Sequence, residues 1–280
     1  METIIGLGNA GCNIAEKFMQ YPQYDVYRID SEERCGPNFK KIQECFSHEE
    51  YEKAFPDISD FLRNAQPPYL FVVGGSGTIS GASLCVLEQL KSKDIYVLYV
   101  KSDTSLMSRT SQVQDKIVFQ VLQQYARSDV FRRMFVVDNS NLEAIYRDIP
   151  VVGYYDKLNE VIVSTIHMIN VFNNTKSIMD TFSSPIETAR ISTFGIIDVE
   201  TGEEKLFYDL TYPREKLYYY SLTKNKLETE GNLLKRLTDQ VKEKIEDELK
   251  VSYGIYSSAY ENDYAYCVAH ATLIQEINLD

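Results

Sequence analysis

The sequence has no tryptophan, only three histidines and only five cysteines among its 280 residues. The cysteines are odd in number, irregularly spaced and never arranged as C-x-x-C, which argues against a disulfide framework or a structural zinc site. Apolar runs are too short to cross a bilayer. The first residues show no basic flank followed by a cleavage signal. We therefore expect a cytoplasmic protein with no direct membrane contact and no metal site of its own.

Positive charge is also scarce, because 29 Lys and Arg face 41 Asp and Glu, for a net charge of −12. Such a field repels nucleic acid on average, so no direct nucleic-acid binding is expected. Hydrophobic residues at 44% and charged residues at 25% are typical of a globular protein and exclude a disordered chain. The 21 tyrosines suit strands and protein interfaces.

Hydrophobic patterning divides the chain into an α/β part and an α+β part. In the first part, short apolar strands alternate with amphipathic helices, which predicts a mostly parallel, Rossmann-like sheet. A long helix at residues 155–172 follows, with apolar residues on both faces. The strands predicted before it are 3–7, 25–30, 69–73, 95–100 and 134–137, and the helices are 13–18, 57–65, 82–90 and 112–126. The strands predicted after it are 190–199, 205–210, 216–222, 251–256 and 264–273, with one helix at 229–249.

A glycine-rich turn, G-L-G-N-A-G, lies at residues 6–11 between the first strand and the first helix. Glycines let the backbone approach a phosphate, and the helix N-terminus offers free N–H groups and the positive end of the helix dipole. Read as a dinucleotide fingerprint, it would use Gly6, Gly8 and Gly11, with Asp30 on the ribose. The alternative is a tight turn that binds nothing.

A second glycine-rich turn, G-G-S-G-T-I-S-G, occupies residues 74–81 after a continuously apolar strand. Hydroxyl groups at Ser76, Thr78 and Ser80 add donors to those of the backbone. A single phosphate would not need two such cradles, whereas a di- or triphosphate gripped from both sides would. The alternative, a flexible linker, fits poorly between a buried strand and a helix.

These two turns, with their order and layout, resemble the FtsZ/tubulin family of filament-forming GTPases over nearly the whole chain. Residues 6–13 are similar to the first phosphate loop of that family, and residues 75–81 to its G-G-G-T-G-[ST]-G signature. The residues that the resemblance assigns to the nucleotide are Gly8, Asn9, Ala10, Gly11 and Asn13 in the first loop, Gly75, Ser76, Gly77, Thr78, Ile79 and Ser80 in the second, and Tyr155, Asn159 and Glu160 at the long helix. Tyr155 would stack on guanine there, or would simply pack as an aromatic at the start of the helix.

The second loop departs from the family signature at two positions. Ser76 and Ile79 stand where glycines are expected. The side chain of Ile79 would crowd the approach to the β- and γ-phosphates or force the loop to reshape.

The stretch that corresponds to the family's catalytic N-x-D-x-x-[DE] loop is also altered. Asp180 matches the first acid, while Ile178 replaces the asparagine and Ser183 the second acid. Glu187 is a substitute acid one helical turn later. The alternative role for Asp180 is that of a helix N-cap.

The resemblance implies a nucleotide-binding GTPase domain at 1–154, a central core helix at 155–178 and a C-terminal α+β domain at 179–280. It also implies GTP or GDP as ligand, Mg²⁺ accompanying GTP, head-to-tail homopolymers and slow hydrolysis at the subunit interface. An adaptor or cargo protein would bind such a filament, and the compact chain resembles phage, plasmid or accessory members. Two alternative hypotheses stay open: a tubulin-like structural protein that does not hydrolyse GTP, and a Rossmann NAD-dependent oxidoreductase.

Overall fold

The computed structural model describes residues 2–103, 107–258 and 260–276. The chain forms two compact units, one of Met1–Val163 with Ile274–Asp280 and the other of Ser164–Leu273. Among the helices of the described residues, none is both long and apolar enough to cross a membrane.

The first unit is built on a six-stranded parallel sheet. Its strands are β1 (Thr3–Leu7), β2 (Asp25–Asp30), β3 (Phe39–Lys41), β4 (Tyr69–Gly74), β5 (Ile95–Lys101) and β6 (Arg133–Asp138). They lie in the order β3-β2-β1-β4-β5-β6, and every pair is parallel. β4 is buried on both faces, which accounts for its unbroken apolar sequence. The order reverses between β1 and β4, which is where α/β sheets of this topology open a ligand crevice.

Helices follow most of these strands. They are α1 (Gly8–Phe18), α2 (His48–Ala54), a short 3-10 helix (Thr78–Ala82), α3 (Ser83–Leu90), α4 (Arg109–Arg127), α5 (Asn139–Ile145) and α6 (Tyr154–Asn173). The change between the two compact units falls within α6. Buried residues of α6 are not confined to one face: Leu158, Ile162 and Ile166 follow one face at four-residue spacing, and Val163 and His167 are buried away from it.

The helix predicted at residues 57–65 is wrong, because this segment is a series of turns. Asp57 accepts a hydrogen bond from the backbone N–H of Ser59 at 2.8 Å. Such a local side-chain bond competes with helical backbone bonds. Ile58 and Leu62 are still buried, so the apolar side chains of this segment pack into the core from a turn and not from a helix.

The second unit is a mixed sheet with two short helices. Its strands are β7 (Met179–Asp180), β8 (Ile191–Ile197), β9 (Glu204–Leu206), β10 (Pro213–Leu222), β11 (Lys250–Ser257) and β12 (Tyr264–Ala271), and its helices are α7 (Lys224–Thr229) and α8 (Leu233–Glu243). The strand order is β8-β12-β10-β11-β7, with β9 beside β8. Only β10 and β11 pair in parallel.

The single helix predicted at residues 229–249 is also wrong, since α7 ends at Thr229 and α8 covers only Leu233–Glu243. Gly231 lies in the break, where glycine weakens a helix by about 1 kcal/mol relative to alanine. Leu237 packs in the core, whereas Leu234 and Ile245 are exposed. The buried residues of α8 are Leu233, Leu237 and Val241.

Candidate functional site

The first glycine-rich loop lies at the point where the strand order reverses. β1 passes directly into α1 at Gly8, whose φ of +69° favours glycine. A Cβ atom on Gly6 would lie 2.4 Å from the carbonyl oxygen of Gly11, and one on Gly11 would lie 2.4 Å from that of Val72. The backbone of the turn is thus packed as closely as glycine allows.

The second loop follows β4, and buried polar groups pack against its base. A Cβ atom on Gly75 would lie 1.7 Å from the hydroxyl of Tyr99. Ser80 is buried, donates to the carbonyl of Gly75 at 3.1 Å and shares a 3.2 Å hydrogen bond with His48 Nε2. Gly77, in contrast, is exposed, and the nearest atom of the described residues to its Cβ position, apart from its chain neighbours, is Ile79 Cγ2 at 3.8 Å. Within the described residues, the loop is therefore open at Gly77 and closely packed at its base.

The two loops touch each other. A Cβ atom on Gly8 would lie 2.4 Å from Cγ2 of Ile79, and one on Gly74 would lie 2.9 Å from Cβ of Ala10. Ile79 is only 9% exposed, so its side chain is packed against the first loop. The sequence-predicted residues of both phosphate loops are thus brought together at one edge of the sheet.

Both loops lead into helix N-termini that have no side-chain cap. Leu7 precedes α1 and Gly77 precedes the 3-10 helix, and neither helix has an acidic residue in its first turn. Elsewhere in the first unit, Ser47, Ser108 and Asp138 cap α2, α4 and α5 with their side chains. Because no side chain caps these two N-termini, their first N–H groups can donate to an anion.

Arg34 is a residue of this site that the sequence analysis missed. Its guanidinium donates to Asn9 Oδ1 at 2.6 Å, to Asn13 Oδ1 at 2.7 Å and to Asp30 Oδ2 at 2.9 Å. The contacts to the asparagines span 25 and 21 residues of sequence, so no local motif signals them. Asp30 is 3% exposed, and its other oxygen accepts from the N–H of Ser31. Because Asp30 is almost fully enclosed and both of its oxygens already accept hydrogen bonds, a role in binding a ribose is disfavoured.

The residues predicted to contact the base lie at the start of α6. Tyr155 is 67% exposed and meets Tyr154 edge-on at 5.2 Å between ring centroids. Asn159 is nearly buried, while Glu160 is exposed and pairs with Lys157 at 2.9 Å. This first turn of α6 is also tied to α1, because Asp156 forms a 3.2 Å ion pair with Lys17.

A buried carboxyl group supports the second loop. Asp115 is fully buried, accepts a 2.8 Å hydrogen bond from the Tyr99 hydroxyl, and its Oδ2 has no partner among the described residues. Burial raises the pKa of Asp115 above its ordinary value, although the Tyr99 hydrogen bond and the charge of Lys101 oppose the shift. Lys101 itself pairs with Asp138 at 2.6 Å.

The predicted catalytic residues belong to the second unit. Asp180 is exposed in the short strand β7 and accepts a hydrogen bond from the hydroxyl of Ser177, so the helix N-cap alternative is wrong. Ile178 is 61% exposed, and Ser183 and Glu187 are exposed too. Asp180 and Ser183 line a cavity of about 400 Å³ whose other lining residues include Phe182, Tyr219 and Tyr256. No group of three or more potential metal ligands occurs within the residues that the structure describes.

Solved structures of filament-forming proteins resemble this chain. A GTPγS-form protofilament of TubZ from Bacillus thuringiensis serovar israelensis matches with a TM-score of 0.72 and 14% identity over 98% of this chain and 87% of that one. An FtsZ dimer from M. jannaschii matches with a TM-score of 0.68 and 13% identity over 96% and 87%. The chain has the tubulin/FtsZ fold. This confirms the predicted fold class and the predicted resemblance.

A TubZ described as a type III plasmid segregation protein matches similarly, with a TM-score of 0.69 and 16% identity over 98% of this chain and 88% of that chain. No protein-family model and no curated protein sequence matches this tubulin-fold chain. At such low identities the likeness concerns the fold, so the activity has to be argued from the site.

Proposed function

We propose that this tubulin-fold chain binds a guanine nucleotide between its two glycine-rich loops and assembles head-to-tail with copies of itself. One observation carries the proposal: two helix N-termini without side-chain caps touch each other at the switch point of the parallel sheet. TubZ has been solved as protofilaments in GTPγS and GDP forms, which supports the same ligand class and the same mode of assembly.

The donors at the two loops fit a polyphosphate. They are backbone N–H groups and hydroxyls, and no acidic side chain lies in the first turn of either helix. Mg²⁺ would accompany GTP through the phosphate oxygens, with no ligand set supplied by the described residues. The residues that would hold the phosphates and the sugar are Gly8, Asn9, Ala10, Gly11, Asn13, Gly75, Ser76, Gly77, Thr78, Ile79 and Ser80.

Base selection would fall to the first turns of α6. The exposed ring of Tyr155 is free to stack, and the carboxylate of Glu160 can accept hydrogen bonds from the N–H groups that guanine has and adenine lacks. Both side chains of the Lys157–Glu160 ion pair are exposed, so the pair is weak. Glu160 could therefore leave Lys157 and bond to guanine instead. A site of this kind should discriminate against ATP, because its polar groups would be left unpaired.

Hydrolysis would require an acid from a neighbouring subunit to orient the attacking water. Asp180 is the candidate, because it is exposed and its position matches the first acid of the family loop. Glu187 is the second candidate, since it is exposed as well. With Ile178 and Ser183 replacing polar family residues, we expect turnover to be slow.

The binding proposal is tested by the melting temperature with GTP, GDP, ATP and NAD, since a ligand of the native state stabilises it by mass action. Guanine nucleotides should raise it, and the other two should not. Gly77→Val adds bulk at the open mouth of the second loop, where the Cβ meets only ordinary contacts, and should abolish the shift. Gly231→Val is the matched control, because no atom of the described residues, apart from its chain neighbours, lies within 4 Å of its Cβ position. Stabilisation by NAD and not by GTP would refute the proposal.

Assembly is tested by light scattering and pelleting at several protein concentrations, with and without GTP. Polymers should form only with nucleotide, and the rate of phosphate release should rise faster than linearly with protein concentration. If the protein binds GTP but stays monomeric at every concentration, the proposed assembly is wrong and the proposed nucleotide binding is unaffected.

A tubulin-like protein that does not hydrolyse GTP is the second candidate. The side chain of Ile79 is packed against Gly8 within the phosphate loops, and Ile178 and Ser183 replace polar residues of the catalytic loop. Polymers that form with GTP and persist without phosphate release would establish this alternative. An NAD-dependent oxidoreductase is disfavoured, since Asp30 is already engaged by Arg34 and Ser31.

A further inference from the structure

Arg34 forms a dense set of hydrogen bonds beside the first phosphate loop. The guanidinium bonds to the side chains of Asn9, Asn13 and Asp30, and it also lies 3.4 Å from Glu16 Oε1. The Arg34 side chain is only 13% exposed, so these bonds are largely shielded from water. A cation in such a place acts more strongly on its neighbours than a surface arginine does.

The asparagines that Arg34 holds are two residues assigned to the nucleotide by the family resemblance. Because Arg34 donates to both Oδ1 atoms, the carbonyl ends of the two amides are turned towards it. The Nδ2 group of Asn13 donates to Asn9 Oδ1 at 3.2 Å. Asn9 is exposed in the first turn of α1, so its Nδ2 group is accessible there. Arg34 thus fixes an amide donor at a helix N-terminus.

Local charges make this arrangement sensitive to Arg34. Arg34 pairs with Asp30, and Arg28 pairs with Glu16, so two cations balance two anions behind the loop. Loss of Arg34 alone would leave a net negative charge beside the N-terminus of α1. That charge would oppose a phosphate group there, in a protein whose net charge is already −12.

We propose that Arg34 is a positioning residue for phosphate binding: it orients Asn9 and Asn13 and supplies the positive charge that the first loop needs to hold a nucleoside di- or triphosphate. This inference rests on the proposed function. It goes beyond the family resemblance, which assigned nothing to Arg34. The competing role is purely structural, namely an ion pair that neutralises buried Asp30.

The experiment measures dissociation constants for guanosine, GDP and GTP at a protein concentration too low for assembly. The variants are Arg34→Lys, which keeps the charge without the planar fork, Arg34→Met, and Arg34→Met combined with Asp30→Asn. The double variant removes the pair without leaving a buried carboxylate unpaired. Arg132→Met is the control, because Arg132 Nε also pairs with an aspartate, Asp94 Oδ1 at 2.6 Å, at the opposite end of the strands.

In both Arg34→Met variants, GDP and GTP should bind about 10- to 100-fold more weakly, as expected for loss of hydrogen bonds to a charged group. The dissociation constant of guanosine should change by less than about threefold, because guanosine carries no phosphate. The affinity of Arg34→Lys should fall between that of the wild type and that of Arg34→Met. Arg34→Met lowers the local charge by one and should alter the dependence of affinity on salt, whereas the double variant keeps the local net charge and should keep the wild-type salt dependence. The control should bind as the wild type does.

Two results would overturn the assignment of Arg34. One is a double variant that binds GTP as tightly as the wild type. The other is an equal loss for guanosine and GTP, which indicates a structural role only. A wild-type protein that binds no guanine nucleotide would instead overturn the proposed function, and the inference with it, so the two failures are distinguishable.

Discussion

The contact between Gly8 and Ile79 can be measured as a coupling free energy between the two loops. Alanine at position 8 would be strained by the φ of +69°, which costs about 1–2 kcal/mol, and its Cβ would lie 2.4 Å from Ile79 Cγ2. Overpacking of this kind adds about 1–3 kcal/mol. The next atoms of Ile79 lie at 3.8 and 4.0 Å, so Cγ2 alone makes the clash.

Ile79→Ala removes that atom and should by itself cost about 2–4 kcal/mol, since the side chain is buried. In the Ile79→Ala background, Gly8→Ala should then cost only the backbone strain. Urea denaturation of the wild type, both single variants and the double variant gives the coupling, expected at about 1–3 kcal/mol. Gly231→Ala is the control for the loss of a glycine in open space. Costs that add within about 0.5 kcal/mol would show that the loops do not touch, and the two-cradle site would lose its geometric basis.

Three further predictions concern single side chains. The raised pKa of Asp115 means that the folded state holds the carboxyl proton more tightly than the unfolded chain does. The free energy of unfolding should therefore fall as pH rises from about 4 through the folded pKa. Asp115→Asn should flatten this dependence in thermal melts measured across pH. Tyr155→Ala should leave the melting temperature of the free protein nearly unchanged, because the ring is 67% exposed. It should weaken guanine-nucleotide binding by about 1–3 kcal/mol, whereas Tyr155→Phe should bind as the wild type does. Equal affinities for the wild type, Tyr155→Ala and Tyr155→Phe would exclude stacking. Asp180→Ala should stop phosphate release while preserving or lengthening polymers, and normal turnover would remove Asp180 from the mechanism.

Most of the sheet of the first unit was predictable, but β3 (Phe39–Lys41), with two lysines among its three residues, was not. Residues 69–73 show what made a strand visible, since every one of them is apolar and buried in β4, as is typical of a strand with two covered faces. The glycine-rich turns were equally visible, because a strand, a turn and a helix follow one another within a few residues. The predicted fold is confirmed, while the roles of the individual site residues remain predictions.

The features that sequence reasoning missed depend on single side chains or on distant contacts. The spacing of Ile58 and Leu62 suits a helix, but the hydrogen bond from Ser59 N–H to Asp57 favours a turn instead. Arg34 reaches residues more than twenty positions away, so its role appears only once β2 and α1 are placed side by side. Such information lies in the packing and not in any local pattern.

The proposed phosphate binding and the proposed hydrolysis would depend on different parts of the chain. A cradle of backbone N–H groups depends on the path of the chain, so the departures at Ser76 and Ile79 leave both helix N-termini uncapped and adjacent. Activation of a water molecule needs a particular side chain at a particular point, and only Asp180 matches its family position in the catalytic loop. The proposed nucleotide binding would therefore rest on a geometry formed by many residues, whereas the proposed turnover would rest on one carboxylate. A protein of this construction can lose hydrolysis through a single substitution and still bind nucleotide and assemble.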